Sequence, residues 1–139
     1  MASALIDASA MVAVFGQGEP YADHYRDLLE LAALENWSLS TTWPCVTEAS
    51  YLVPPPNRFA LLSWLGQGAV SVFPFQQESL LDFVPLMQRY TERPRTEMDL
   101  ADASLVWLAT ETGVTTVMTL DARDFSRYRL PDGRGFEIL

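Results

Sequence analysis

Between Asp99 and Glu111 the chain is almost wholly apolar, and Asp102 is the only charge in the run Leu100-Ala-Asp-Ala-Ser-Leu-Val-Trp-Leu-Ala-Thr110. A helix with no polar face is one buried on every side, and a carboxylate inside such a helix is costly unless something pairs with it. The run therefore constrains the fold twice: other layers must wrap the helix, and its acid must open onto a polar pocket. Two more aspartates close apolar runs in the same way. Asp7 follows Ala4-Leu-Ile6, and Asp121 follows Val117-Met-Thr-Leu120.

Taken in order, Ser3 to Ile6 predicts a short buried strand and Ala8 to Phe15 a helix stopped by Gly16-Gln-Gly18. Asp7 between them is either the N-cap of that helix or a ligand at the strand's carboxyl end. A second helix is predicted from Pro20, with Tyr21, Tyr25, Leu28, Leu29 and Ala32 at helical spacing and His24 off that stripe in solvent. Trp37 to Thr41 predicts the second strand. Trp43-Pro44 opens a helix, with proline suited to a first turn, and this helix carries Glu48 before Pro54-Pro-Pro56 ends it. Asn57 is a candidate cap for a helix running to Gly66. Ala69 to Phe73 predicts strand three, and Glu78 to Tyr90 a helix disturbed at Pro85. A polar loop from Thr91 to Glu97 precedes the Asp99 helix, which Gly113 terminates. Val114 to Leu120 predicts strand four and Gly133 to Leu139 a last short strand.

Strands and helices alternate throughout, so the economical architecture is one α/β domain spanning 1–139, a parallel sheet covered on both faces. Its 139 residues are enough for a sizeable core. Ligands of such sheets bind beyond the carboxyl ends of the strands, where the strand order reverses. If strands one and four are neighbours there, Asp7 and Asp121 face each other. Asp99 and Asp102, three apart, share one face at the start of their helix and can point into the same crevice.

Carboxylates gathered in this way imply a cation. Two of them about 4 Å apart repel by roughly 4 kcal/mol at an effective dielectric near 20, so a cluster either takes up protons or binds a positive ion. The chain has no lysine to serve. Hard oxygen donors without histidine or cysteine select magnesium or manganese, and such ions activate water and offset charge on a phosphodiester. Taken singly, each aspartate is better explained as a helix cap, Asp99 as an N-cap with Asp102 in the favourable first turn. Their joint placement is what points to metal.

Composition bears on this chemistry mostly by exclusion. Without lysine there is no phosphate-binding loop ending in Gly-Lys and no lysine Schiff base. A haloacid-dehalogenase type of phosphatase needs an aspartate where this chain has Ser9, and a lysine as well. The single cysteine, Cys45, makes no internal disulfide and has no metal-ligand spacing. The apolar start of the chain lacks a basic leading segment and is interrupted by Asp7, which argues against a signal peptide; a cytoplasmic protein is expected. The net charge of −9 is unfavourable for a nucleic-acid enzyme, and by charge alone a solvated acidic surface is the better reading. Yet seven of the nine arginines lie between Arg89 and Arg134, around the acidic motifs. Arg89, Arg93, Arg95, Arg123 and Arg127 are the candidate phosphate contacts.

Four segments together, Asp7-Ala-Ser9, Pro44-Cys-Val-Thr-Glu48-Ala-Ser-Tyr51, Asp99-Leu-Ala-Asp102-Ala-Ser-Leu105 and Thr119-Leu-Asp121-Ala-Arg-Asp124-Phe125, resemble the PIN-domain family in order and spacing, most of all the VapC-type toxins of type II toxin–antitoxin operons. The resemblance runs over nearly the whole chain. It implies a three-layer α/β/α domain with a parallel five-stranded sheet of order 3-2-1-4-5, and an endoribonuclease using Mg2+ or Mn2+. It also implies metal-binding catalytic acids at Asp7, Glu48, Asp102 and Asp121, secondary acids at Asp99 and Asp124, and polar neighbours at Ser9 and Thr119. The partners it implies are RNA, a second copy of the chain, and an antitoxin whose tail blocks the pocket. The acidity and the absence of lysine depart from the family pattern. The alternative expectation is an inactive PIN-like module that works by protein–protein binding.

Overall fold

A computed structural model describes residues 2–139. Five strands, β1 (Ser3–Ile6), β2 (Ser38–Thr42), β3 (Ser71–Phe73), β4 (Thr116–Met118) and β5 (Glu137–Ile138), form one sheet in the order β3-β2-β1-β4-β5. Every pairing is parallel. β1 lies at the centre, where both faces are covered, and this is why Ala4, Leu5 and Ile6 form an unbroken apolar run and are all buried. From β1 the chain builds outward through β2 and β3 on one side and through β4 and β5 on the other. The order therefore reverses between β1 and β4, and the backbone N–H of Asp7 donates to Met118 O (3.0 Å) at that seam.

Seven helices accompany the sheet: α1 (Ala8–Phe15), α2 (Ala22–Leu34), α3 (Trp43–Leu52), α4 (Asn57–Gly66), α5 (Leu80–Arg89), α6 (Leu100–Thr112) and α7 (Ala122–Phe125). α1 packs against α2, α3 and α4, while α6 packs against α3, α5 and β2, giving helical layers around the sheet. The apolar α6 is the wrapped helix its sequence requires, with everything from Ala101 to Ala109 buried except the partly covered Trp107. It begins at a cap by Asp99, whose Oδ1 accepts from Asp102 N (2.8 Å). It ends at Gly113, whose φ of 76° is left-handed, a conformation glycine adopts without steric cost.

Several expected boundaries move. β4 spans only Thr116–Met118 rather than Val114 to Leu120, because Thr119 leaves the ladder to hydrogen bond within the site described below. β3 starts at Ser71 rather than Ala69, and β2 runs from Ser38 to Thr42 rather than from Trp37. β5 contracts to Glu137–Ile138 because Leu130 and Arg134 close a turn ahead of it. α2 starts at Ala22, two residues after Pro20. Asn57 is the first residue of α4 rather than a cap and makes no capping bond. Pro85 does not break its helix: after a 3-10 turn at Gln77–Ser79, α5 passes straight through it. The carbonyl deprived of its partner is that of the exposed Leu81, which water can serve. The segment after β4, to which the sequence reading assigns no element, winds into the short helix α7 with Asp121 at its N-cap position.

Candidate metal centre

The seam between β1 and β4 opens into a cleft of about 190 Å³ lined by Asp7, Ser9, Val12, Glu19, Glu48, Leu52, Asp99, Asp102, Leu120 and Asp121. Three elements deliver its central acids. Asp7 follows the end of β1, Asp121 follows β4 at the start of α7, and Asp102 sits in the first turn of α6. One carboxylate oxygen from each of these three lies within 4.8 Å of the others. The convergence expected from the sequence is therefore present in space.

Asp7 is held by its neighbours rather than free to turn. Its Oδ1 accepts from Ala8 N (2.8 Å), and its Oδ2 accepts from Ser9 Oγ (2.9 Å) and Thr119 Oγ1 (2.7 Å). The cap and ligand readings of Asp7 are thus compatible: a carboxylate offers about four acceptor positions, and three are used. The two hydroxyls also tie down the opposite strand end, since Ser9 Oγ accepts from Leu120 N (3.0 Å) and Thr119 Oγ1 from Asp121 N (3.0 Å). Ser9 and Thr119 lie 3.2 Å apart and complete this small network. Asp102 accepts a hydrogen bond from Tyr128 Oη at 2.7 Å.

The electrostatics are those of acids crowded together away from water. Burial first, then the surrounding carboxylates, push the acids upward: Asp7 to about 6, Glu48 to about 7 and Asp102 to about 8. Asp121, at the rim, is also raised by burial and by Asp124 and Asp99. Among the described residues, no arginine lines the cleft. The donor set is all hard oxygen, spaced so that one small cation could touch three carboxylates, and it fits Mg2+ or Mn2+ far better than zinc or copper.

The remaining candidates divide. Glu48 and Asp99 line the cleft but stand around the three-acid cluster rather than within it. Asp124 is outside the lining and pairs with Arg127 (3.6 Å). The arginines sit apart from the acids. Arg89 lies over the Tyr90 ring (5.4 Å), Arg93 pairs with Glu97 (2.9 Å) beside Arg95 in the loop before α6, and Arg123 is exposed on α7. Two site residues escape a sequence reading. Glu19, in the turn after α1, adds a sixth acid to the cleft wall, and Tyr128 reaches Asp102 from beyond α7. The only local signal for Tyr128 is an aromatic spaced three from Phe125.

No family model and no curated protein sequence matches the chain. Solved structures do. The fold is similar to that of VapC20 from Mycobacterium tuberculosis, a sarcin–ricin loop cleaving toxin, with a TM-score of 0.72 at 15% identity over 87% of this chain and 92% of that one. It is also similar to FitAcB from Neisseria gonorrhoeae, with a TM-score of 0.54 at 18% identity over 88% and 90% of the two chains. Strand order, layering and superposition agree: this chain is a PIN-like α/β/α domain with the fold of a VapC toxin.

Proposed function

We propose that this protein is a metal-dependent endoribonuclease, the toxin of a type II toxin–antitoxin pair, acting in the cytoplasm as a homodimer that a cognate antitoxin silences. The observation that carries the reading is the meeting of Asp7, Asp102 and Asp121 within 4.8 Å at the switch point of a parallel sheet. Similarity in fold to a toxin that cleaves an RNA loop supports it. No helix among the described residues is long and apolar enough to cross a membrane.

In this reading Asp7, Asp102 and Asp121 hold Mg2+ or Mn2+. The bound ion supplies charge neutralisation at the scissile phosphate and lowers the cost of ionising water. The chain's own residues do the rest. Ser9 and Thr119 lock the Asp7 carboxylate toward the cleft and fix the backbone that carries Asp121. Glu48, on the cleft wall, orients the attacking water and takes its proton on a carboxylate oxygen. The water oxygen bonds to phosphorus in line, the opposite P–O bond breaks, and the departing oxygen takes up a proton. Arg93 and Arg95 in the loop before α6, with Arg89, Arg123 and Arg127, are proposed to meet phosphates further along the RNA.

Purified protein freed of any partner should cleave a structured RNA with Mg2+ or Mn2+, lose activity in EDTA, and lose it on Asp7→Asn. Cleavage that survives EDTA, or equal cleavage by the variant, would refute the assignment. A folded protein that titrates no Mn2+ would instead favour an inactive binding module.

A further inference from the structure

Tyr128 follows α7 in sequence and is 1% exposed, although it carries a hydroxyl that needs a partner. That partner is a member of the carboxylate cluster: Tyr128 Oη donates to Asp102 Oδ2 at 2.7 Å. The ring has little freedom to wander. It packs edge-on against Tyr90 and against Phe125, each with centroids 5.0 Å away and planes inclined at 68°. Phe125 belongs to α7, whose first turn is closed by its own N–H donating to Asp121 O (3.0 Å). One short stretch, 121–128, therefore presents the Asp121 carboxylate and also carries the hydroxyl that holds Asp102 on the neighbouring helix.

We infer that Tyr128 is a positioning residue for the metal centre, fixing the Asp102 carboxylate so that one oxygen is committed to the hydroxyl and the other is turned toward the shared cation. This rests on the proposed metal-dependent function. A ligand carboxylate free to rotate must be ordered when the ion binds, and one already held is not. Outer hydrogen-bond partners of this kind typically govern metal affinity by 10- to 100-fold. Tyr128→Phe removes the donor while keeping the ring and its packing, so the fold is retained and the orientation of Asp102 is lost.

The test is titration of the full chain with Mn2+, followed by calorimetry and by the electron paramagnetic resonance spectrum of the bound ion. Tyr90→Phe is the control: Tyr90 belongs to the same aromatic cluster and its hydroxyl accepts from Arg129 N (3.0 Å), but it bonds to no carboxylate. Tyr128→Phe should weaken Mn2+ binding about tenfold or more and alter the spectrum of the bound ion, while its melting temperature in EDTA stays close to that of Tyr90→Phe. Tyr90→Phe should bind Mn2+ as the wild type does. Unchanged affinity and spectrum in Tyr128→Phe, with the wild type binding normally, would overturn this inference alone. Equal weakening by both variants would assign the effect to packing and overturn it too. A wild-type protein that binds no Mn2+ would overturn the proposed function and this inference together.

Discussion

Replacing Asp102 with asparagine should make the metal-free protein more stable, although it removes a side chain from the centre of the site. Burial and the neighbouring acids raise this carboxyl from 3.8 to about 8, so at pH 7 the folded chain holds a proton there that the unfolded chain has released. Keeping that proton across about 3.2 pH units costs on the order of 4 kcal/mol at about 1.36 kcal/mol each, and coupling to Asp7 and Asp99 brings the expectation to about 2–4 kcal/mol. Asparagine keeps an oxygen to accept from Tyr128 and has no proton to lose. Since the folded value lies above the unfolded one, the wild-type contribution is fully present below pH 4 and is lost as the pH rises through 8. The gap between variant and wild type should therefore widen with pH, from about 1 kcal/mol near pH 4.5 to its full size near pH 8. For a domain of this length that corresponds to a melting temperature about 10 °C higher for Asp102→Asn at pH 7 in EDTA. Excess Mn2+ should reverse the ranking by stabilising only the wild type. Thermal melts from pH 4.5 to 8 with and without Mn2+ measure all of this. A variant less stable than wild type in EDTA at pH 7, or a gap that does not change with pH, would refute the reasoning.

Other perturbations test the framework around the acids. Thr119→Val should destabilise by about 1–3 kcal/mol and weaken Mn2+ binding, because it removes the donor to Asp7 Oδ2 and strands the Asp121 N–H; urea unfolding and Mn2+ titration read the two effects separately. Gly16→Ala should cost about 1–3 kcal/mol, since a Cβ there would stand 2.6 Å from Val12 O; an unaltered melting temperature would show that the α1 terminus relaxes more easily than its geometry indicates.

How much of this was readable from the chain depends on how local each feature is. The wrapped helix announced itself through the absence of any polar face from Leu100 to Ala109, and its cap through Asp99 placed three residues before Asp102. The positions of Asp7 and Asp121 followed from apolar runs ending at acids, since strand ends in a parallel sheet face one crevice. What escaped was set by partners distant in sequence. Tyr128 and Asp102 are 26 residues apart, and no spacing rule connects a hydroxyl after one helix to a carboxylate on another. Strand four looked longer than it is because Thr119 is as suited to a ladder as to a side-chain network, and only the proximity of Asp7 decides between them. A disturbance was expected at Pro85 because sequence does not show whether the orphaned carbonyl faces solvent. The arginines cluster along the chain yet do not line the acidic cleft, a separation that linear charge patterning cannot express.

The placement of β4 beside β1 has a consequence for how the protein is made. Asp7 is synthesised well before the hydroxyl and the carboxylate that complete its surroundings, at Thr119 and Asp121, more than a hundred positions later. A nascent chain that reaches only to position 100 thus carries one acid of the cluster and neither of the others. The three carboxylates can meet only once β4 and the residues after it have been made and have paired with β1, so a fragment that stops before β4 lacks the cluster.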